Sequence, residues 1–224
     1  QVKSWVDAME HDGRVRGFVN TNGAVTGRMT HSKPNLAQTP ASYSPFGKEC
    51  RSCWTVPLGH KLVGVDASGL ELRMLAHYMN DPEYTKEIVN GDIHTANQRA
   101  AGLPDRDTSK TFIYAFLYGA GDEKLGKLVG GCRSRGSKLR KRFLANTPAL
   151  ADLQDGIRQK GSSGTLRGLY GRLLQVRSEH SSLNTLLQAA GSIVMKQALI
   201  VFSDLVSNLQ ASVVANVHDE WQVE

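Results

Sequence analysis

The chain has 224 residues, 40% of them hydrophobic and 21% charged, an ordinary globular composition with room for one sizeable core or two small ones. We see no run of about 18 apolar residues, so we expect no membrane span. The formal net charge is +6, and an excess of cations favours polyanionic partners because each neutralised phosphate releases counterions. Three cysteines are too few for a disulfide framework.

The first part of the chain is rich in turn-forming residues. Residues 13–59 contain many Gly, Asn, Thr, Ser and Pro, which is typical of turns and short strands rather than helices. Residues 61–65 predict a buried strand that ends at Asp66. A helix is predicted next, and its apolar stripe contains Leu72, Leu75, Ala76 and Met79.

The middle of the chain is predicted to be helical. From Pro82 to about Asn146 the apolar pattern has a helical period, with glycines and a proline at several breaks. Residues 164–176 predict a hairpin that turns near residues 170–171. Asn184 is a candidate cap for a long helix that runs to about Leu209.

The end of the chain predicts two strands joined by a tight turn. Residues 213–217 form the first strand, residues 218–220 the turn, and residues 221–223 the returning strand. Strands at both ends of the chain with helices between them predict an α+β sheet domain that carries a helical insertion.

Two aspartates occupy positions where apolar strands end. Asp66 follows the strand over residues 61–65, and Asp219 lies in the turn between the last two strands. Two carboxylates side by side repel each other, and Mg²⁺, which prefers hard oxygen ligands, relieves that repulsion. Two such ions about 4 Å apart can stabilise both the attacking oxygen and the leaving oxygen of a phosphoryl transfer. Alternatively, Asp66 caps the helix near Leu70 and Asp219 is a turn residue; the sequence leaves both interpretations open.

One predicted helix has a polar face of unusual composition. Asp105 is its candidate N-cap. Residues at intervals of four share one face: Arg106, Lys110, Tyr114 and Tyr118. Phe112 and Phe116 lie on the opposite side. Cations near a helix N-terminus are unfavourable because they oppose the helix dipole. A bound triphosphate would offset this cost, since its negative charge interacts favourably with both the dipole and the cations. A solvated amphipathic helix is the alternative interpretation.

These motifs together resemble those of family A DNA polymerases. Residues 66–73 resemble motif A, the Arg106, Lys110 and Tyr114 spacing followed by residues 117–119 resembles motif B, and residues 218–220 resemble motif C. Four further segments also correspond, namely residues 26–28, 34–38, 91–95 and 184–188. The resemblance covers nearly the whole chain and is greatest to the replicative polymerases of short-tailed phages.

The resemblance implies an α+β fold that is a fragment of the polymerase right hand, with an antiparallel palm sheet, helices and a mainly helical fingers insertion. Residues 1–80 would form the first part of the palm with the end of the thumb connection, residues 81–183 the fingers, and residues 184–224 the second part of the palm. The thumb, a proofreading exonuclease and the palm elements after motif C are expected to lie outside this chain.

The implied activity is template-directed DNA synthesis, in which deoxynucleoside triphosphates are added to a primer 3′-hydroxyl by two-metal-ion nucleotidyl transfer. The resemblance assigns two Mg²⁺ ions to Asp66, Asp219 and the Ala67 carbonyl. It gives Lys110 the role of candidate general acid for pyrophosphate departure and puts Glu220 near the primer terminus.

The resemblance also assigns binding roles. His94, Arg106 and Lys110 would bind the triphosphate, and Glu71 and Tyr114 would close around the sugar and exclude a 2′-hydroxyl. The implied DNA-binding residues are Arg28, Tyr118, Asn184, Gln188 and His218, with Tyr118 near the templating base. Taken alone, His94 is more often a packed histidine than a phosphate ligand. For Asn184 and Gln188, a helix cap and an exposed helix residue are the alternative interpretations.

The implied partners are primer–template DNA and deoxynucleoside triphosphates in the cytoplasm of a bacterial host, without a membrane. A processivity factor would bind through a thumb region outside this chain. A single-subunit RNA polymerase shares the paired aspartates, but Glu71 and Tyr114 favour deoxyribonucleotides. A non-catalytic remnant that only binds DNA is disfavoured by four intact residues, namely Asp66, Asp219, Arg106 and Lys110.

Overall fold

A computed structural model describes residues 2–224. The helices are α1 (Val2–Asp7), α2 (Gly47–Ser52), α3 (Leu70–Met79), α4 (Pro82–Asn90), α5 (Ile93–Ala101), α6 (Arg106–Leu117), α7 (Asp122–Leu128), α8 (Arg133–Ala145), α9 (Pro148–Gly161) and α10 (Ser182–Leu205). The strands are β1 (Phe18–Asn20), β2 (Thr30–Ser32), β3 (Val63–Asp66), β4 (Thr165–Arg167), β5 (Leu173–Gln175), β6 (Val213–Val217) and β7 (Glu220–Val223). Every strand pair is antiparallel.

The described residues pack as two compact units. The first comprises the residues up to Ser68 together with Ser192–Glu224, and the second comprises Gly69–Gly191. Compact packing does not by itself identify a palm or fingers, so the predicted borders at residues 80 and 183 stay predictions.

A three-stranded sheet in the order β3-β7-β6 forms the centre of the first unit. Trp221 and Val223 of the middle strand are buried, and the Trp221 ring packs on Phe202 with centroids 5.2 Å apart. The strands predicted at both ends of the chain are therefore confirmed. The expectation that residues 61–65 are buried is wrong, because β3 is an edge strand paired on one side only, and Val63 and Val65 stay 52% and 39% exposed.

Residues 13–59 contain one α-helix that the sequence did not predict, α2. Residues 13–59 were expected to form turns and short strands, and β1 and β2 pair as a small hairpin. Helix α2 lies in the same segment, where the Arg51 side chain donates from Nε to the Pro40 carbonyl at 2.9 Å and ties the helix to the preceding turn.

The second unit has one core, in which the predicted stripe of Leu72, Leu75, Ala76 and Met79 is buried. The helical stretch after Pro82 is divided into α4, α5, α6, α7 and α8, and glycines lie at the breaks, as predicted. Phe143 of α8 meets Phe112 and Phe116 of α6 edge-on, with ring centroids 5.2 and 5.3 Å apart. This aromatic cluster fixes the apolar face of α6.

Helix α10 begins and ends earlier than predicted. Asn184 lies within its first turn rather than at its cap, because a short 3-10 turn over Glu179–Ser181 leads directly into the helix and Ser182 Oγ donates to the Ser178 carbonyl at 3.0 Å. The helix ends at Leu205 rather than Leu209.

By length and composition, the helical segment Glu179–Leu205 could cross a membrane, because an 18-residue window within it has a mean hydropathy of 1.5. A core helix of a soluble protein passes the same test, and 44% of that window is buried inside the protein. Leu183, Leu186 and Leu187 of α10 lie in the core of the second unit.

Candidate functional site

The two predicted metal-binding aspartates lie at one end of the three-stranded sheet. Asp66 is the last residue of β3 and stands opposite Glu220, the first residue of β7. The Ala67 amide donates a hydrogen bond to the Asp219 carbonyl at 2.9 Å, so the two aspartates are on neighbouring chain segments. The alternative that Asp66 caps α3 is wrong, because Gly69 is the N-cap and no side chain caps that end.

The charge at this end of the sheet suits a bound cation. Directly opposed residues share one face of an antiparallel pair, and like charges there repel. Within residues 2–224 no lysine or arginine pairs with the carboxylates of Asp66 or Glu220, although Glu220 accepts a hydrogen bond from Gln222 Nε2. The same residues contain no cluster of three or more His, Cys, Asp and Glu side chains suited to a metal. The carboxylates of Asp66 and Asp219 with the Ala67 carbonyl are still a suitable ligand set for Mg²⁺. This ion commonly takes one or two carboxylates and completes its coordination shell with substrate phosphate and water.

His218 begins the two-residue turn between β6 and β7. Its φ angle is 59°, a left-handed conformation that costs a non-glycine residue roughly 1–3 kcal/mol. Its exposed ring lies 6.4 Å from the ring of His31, whose pKa is lowered by burial. A strained residue in the turn that carries Asp219 is consistent with a functional constraint on that turn.

Two of the predicted DNA-binding residues line one small cleft of the first unit. Arg28 and His218 are joined there by Ser192, Lys196 and other side chains. Ser192 Oγ donates to the Thr26 carbonyl at 2.8 Å, which holds the loop that carries Arg28. Ser192 and Lys196 were missed from the sequence, although they continue from Gln188 along α10 at intervals of four residues.

Helix α6 has the two faces that the sequence predicts. Asp105 Oδ1 accepts the Thr108 N–H at 2.7 Å, which confirms the predicted cap. Arg106 and Lys110 are exposed, whereas Phe112 and Phe116 are buried. This geometry is compatible with both interpretations of the helix, a solvated amphipathic helix and a phosphate-binding face.

Three of the predicted nucleotide-binding residues lie close together on α5 and α6. Ser109 Oγ donates to the His94 carbonyl at 2.9 Å, and the His94 ring is 6.3 Å from the Tyr114 ring. Arg106 Nε donates to Asp92 Oδ2 at 2.6 Å. Burial, followed by the nearby Arg106 charge, lowers the pKa of His94 and so favours its neutral imidazole. Asp92 was not predicted as a site residue.

Glu71 and Tyr118 are also brought together. Glu71, in the first turn of α3, is only 8% exposed, and its Oε1 lies 3.5 Å from the Tyr118 hydroxyl. Gly119 follows with a φ angle of 75°, and a Cβ at this position would collide with the His180 carbonyl. The glycine after Tyr118 is therefore required on both conformational and steric grounds.

The last two predicted DNA-binding residues lie on successive turns of α10. Gln188 Nε2 donates to Asn184 Oδ1 at 3.0 Å, and both side chains are half-buried. The pair forms one small polar patch on the helix.

Comparison with known proteins identifies phage relatives. Residues 2–224 match DNA polymerase family A. The chain is 46% identical to the DNA-directed DNA polymerase of Escherichia phage T7 and 45% identical to that of Enterobacteria phage T3, in each case over 99% of this chain and 36% of the relative. The chain thus spans about a third of the length of these curated relatives.

A solved structure of the POL domain of Pol1 from M. smegmatis, in complex with DNA primer–template and dNTP, has the same fold. The TM-score is 0.89, over 100% of this chain and 44% of that chain, at 22% identity. This likeness confirms the α+β polymerase fold predicted from the sequence, and the family match extends over all the described residues. The chain belongs to DNA polymerase family A.

Proposed function

We propose that this chain performs template-directed DNA synthesis in phage DNA replication, adding deoxynucleoside triphosphates to a primer 3′-hydroxyl by two-metal-ion nucleotidyl transfer. The observation that carries the proposal is the meeting of Asp66 with the turn that holds Asp219, through the hydrogen bond from the Ala67 amide. Family membership and 46% identity to the phage T7 polymerase support it.

Asp66, Asp219 and the Ala67 carbonyl would hold two Mg²⁺ ions. Bound there, the ions would lower the pKa of the primer 3′-hydroxyl and neutralise charge on the phosphates. Glu220, opposite Asp66, adds negative charge that favours cation binding and lies next to Asp219 in the chain. Asp66 is exposed, so water and substrate oxygens have access to its carboxylate.

Arg106, Lys110 and His94 would bind the incoming triphosphate. Arg106 is charged at all relevant pH values and has planar donors suited to phosphate oxygens. Neutral His94 would donate from one ring nitrogen. Lys110 Nζ would give its proton to an oxygen of the departing pyrophosphate, which makes this lysine the general acid.

Sugar selection and DNA contact would use the remaining predicted residues. Glu71 is buried, so its carboxylate has little freedom to move away from a 2′-hydroxyl, and Tyr114 would close on the same sugar. Arg28, His218, Asn184 and Gln188 would bind the primer–template minor groove, where hydrogen-bond acceptors lie in similar places on every base pair. The half-exposed Tyr118 would lie near the templating base.

We further propose that the enzyme works in the cytoplasm of a bacterial host, as expected for a polymerase whose relatives belong to phages. A processivity factor would bind a thumb region outside residues 1–224, and primer–template DNA and deoxynucleoside triphosphates would be the partners of the chain itself.

The proposal is tested by primer extension with a chimera in which this chain replaces the aligned segment of the phage T7 polymerase. We expect magnesium-dependent addition of the deoxynucleotide complementary to each template base. Preferential addition of ribonucleotides would instead indicate a single-subunit RNA polymerase. Binding of primer–template without any extension, under any divalent metal, would indicate a non-catalytic remnant.

A further inference from the structure

The carboxylate of Asp92 bonds to two of the residues proposed to bind the triphosphate. Its Oδ1 accepts the His94 N–H at 3.1 Å and so caps α5. Its Oδ2 accepts from Arg106 Nε at 2.6 Å and from Thr95 Oγ1 at 2.8 Å. One oxygen of Asp92 therefore holds the backbone of His94, and the other holds the side chain of Arg106.

The bond from Asp92 uses only one edge of the Arg106 guanidinium. Within the described part of the chain, the two terminal nitrogens of Arg106 form no hydrogen bond. Because the guanidinium is planar, fixing Nε also fixes the direction of the donors on the other nitrogens. Those donors remain available to a bidentate anion such as a phosphate.

A second contact makes this arrangement rigid. Ser109, which is fully buried on α6, donates to the His94 carbonyl on α5 at 2.9 Å. Helices α5 and α6 are thus joined at two points, Asp92–Arg106 and His94–Ser109. Arg106 is held at Nε and His94 through its backbone, so both side chains lose less conformational freedom when a ligand binds.

We infer that Asp92 is a positioning residue for nucleotide binding. Its Oδ2 orients Arg106 so that the two terminal nitrogens face the triphosphate, while its Oδ1 holds His94 at the start of α5. This inference rests on the proposed function, because it takes Arg106 and His94 as phosphate ligands. A purely structural Asp92 would cap α5 and form a surface ion pair, and its loss would lower stability without a specific effect on nucleotide affinity.

Asp92→Asn separates the two roles. Asparagine is as good an N-cap as aspartate, so Oδ1 still accepts the His94 N–H. The amide nitrogen replaces Oδ2 and presents donors to the Arg106 N–H, so the bond that orients the arginine is lost.

Asp105→Asn is the matched control. Asp105 caps α6 in the same manner, with Oδ1 on the Thr108 N–H at 2.7 Å and Oδ2 on the Thr108 hydroxyl at 2.8 Å. No arginine or lysine of residues 2–224 pairs with its carboxylate. The two substitutions therefore make the same chemical change at two N-caps. Asp92 accepts a hydrogen bond from an arginine, and Asp105 does not.

The experiment measures the dissociation constant of the full chain for magnesium–dATP by isothermal titration calorimetry, together with the melting temperature of each variant. We expect Asp92→Asn to weaken binding by about tenfold and Asp105→Asn by less than about twofold, with similar changes in melting temperature. In an Arg106→Ala background Asp92→Asn should have almost no further effect, because its partner is gone.

Equal weakening by Asp92→Asn and Asp105→Asn would overturn the inference and leave the nucleotide-binding proposal intact. A full effect of Asp92→Asn in the Arg106→Ala background would also overturn it. Wild-type chain that fails to bind dATP would instead overturn the proposed phosphate-binding roles of Arg106 and His94, and the inference with them.

Discussion

Asp66 and Glu220 stand directly opposite each other on β3 and β7, and both carry a carboxylate. The next backbone contact, from the Ala67 amide to the Asp219 carbonyl at 2.9 Å, brings a third carboxylate residue to the same end of the sheet. Proteins avoid opposed like charges on paired strands unless something offsets the repulsion. A divalent cation is the simplest group that does so.

This relationship predicts that Glu220→Gln makes the chain less dependent on magnesium. Removing one of two opposed charges should raise the free energy of unfolding by about 0.5 kcal/mol in EDTA. The additional stability from magnesium should fall, because a weaker site gains less from the same ion concentration. Thermal denaturation with magnesium and with EDTA measures both quantities. The exposed Glu83→Gln is the control, and an equal magnesium effect in the two variants would contradict the prediction.

Glu71→Ala is expected to relax discrimination against ribonucleotides. The buried carboxylate of Glu71 would otherwise occupy the space beside a 2′-hydroxyl. Steady-state kcat/KM for a ribonucleotide and its deoxy counterpart gives the discrimination ratio in the chimeric polymerase. Exposed Glu123→Ala should leave that ratio unchanged. If Glu71→Ala is active and discriminates as well as wild type, Glu71 is not the sugar gate.

Tyr114→Phe is expected to reduce incorporation of dideoxynucleotides relative to deoxynucleotides. In a dideoxynucleotide the sugar has no 3′-hydroxyl, and we propose that the Tyr114 hydroxyl occupies the space that this group leaves. Phenylalanine has no hydroxyl to place there. Competition between a dideoxy and a normal nucleotide during primer extension measures the effect. Tyr170→Phe, on an exposed loop, is the control. Equal dideoxy incorporation by wild type and Tyr114→Phe would rule out this role.

His94 should make the stability of the chain depend on pH. Burial and the nearby Arg106 charge lower its pKa in the folded chain, whereas an unfolded histidine has a pKa of about 6.5. The unfolded chain therefore binds the proton first, and stability falls as pH drops through about 6.5 towards the folded pKa. His94→Gln should reduce this loss.

Urea denaturation between about pH 5 and pH 7 measures that slope. His31, whose pKa is also lowered by burial, should leave some pH dependence in the His94→Gln variant. His11→Gln, at an exposed position, is the control. The prediction fails if both variants lose stability as steeply as wild type when the pH falls.

Local sequence signals predicted the parts of the fold that local energetics decide. The Asp105 cap, the glycines between α4 and α8, and the two faces of α6 all depend on residues within one or two helical turns. The hairpin of β6 and β7 was predicted for the same reason. Helix α2 was missed because a contact outside it, from Arg51 to the Pro40 carbonyl, helps to hold its six residues.

Contacts between residues far apart in the chain could not be predicted from the sequence. Ser192 holds the Thr26 carbonyl across 166 residues, and Arg106 reaches Asp92 across 14. Neither partner can be deduced from periodicity or caps, so Asp92 and Ser192 were absent from the predicted site. The apolar run before Asp66 predicted a strand correctly, but its exposure depends on its place at the edge of the sheet.

Primer extension by asparagine variants of Asp66 and Asp219 tests the proposed two-metal reaction. We expect Asp66→Asn and Asp219→Asn in the chimeric polymerase to bind primer–template as wild type does and to lose magnesium-dependent deoxynucleotide addition by at least about a thousandfold. Asp204→Asn, at an exposed site on α10, should extend primers normally. Extension at the wild-type rate by either variant would contradict the proposed two-metal role of the aspartates.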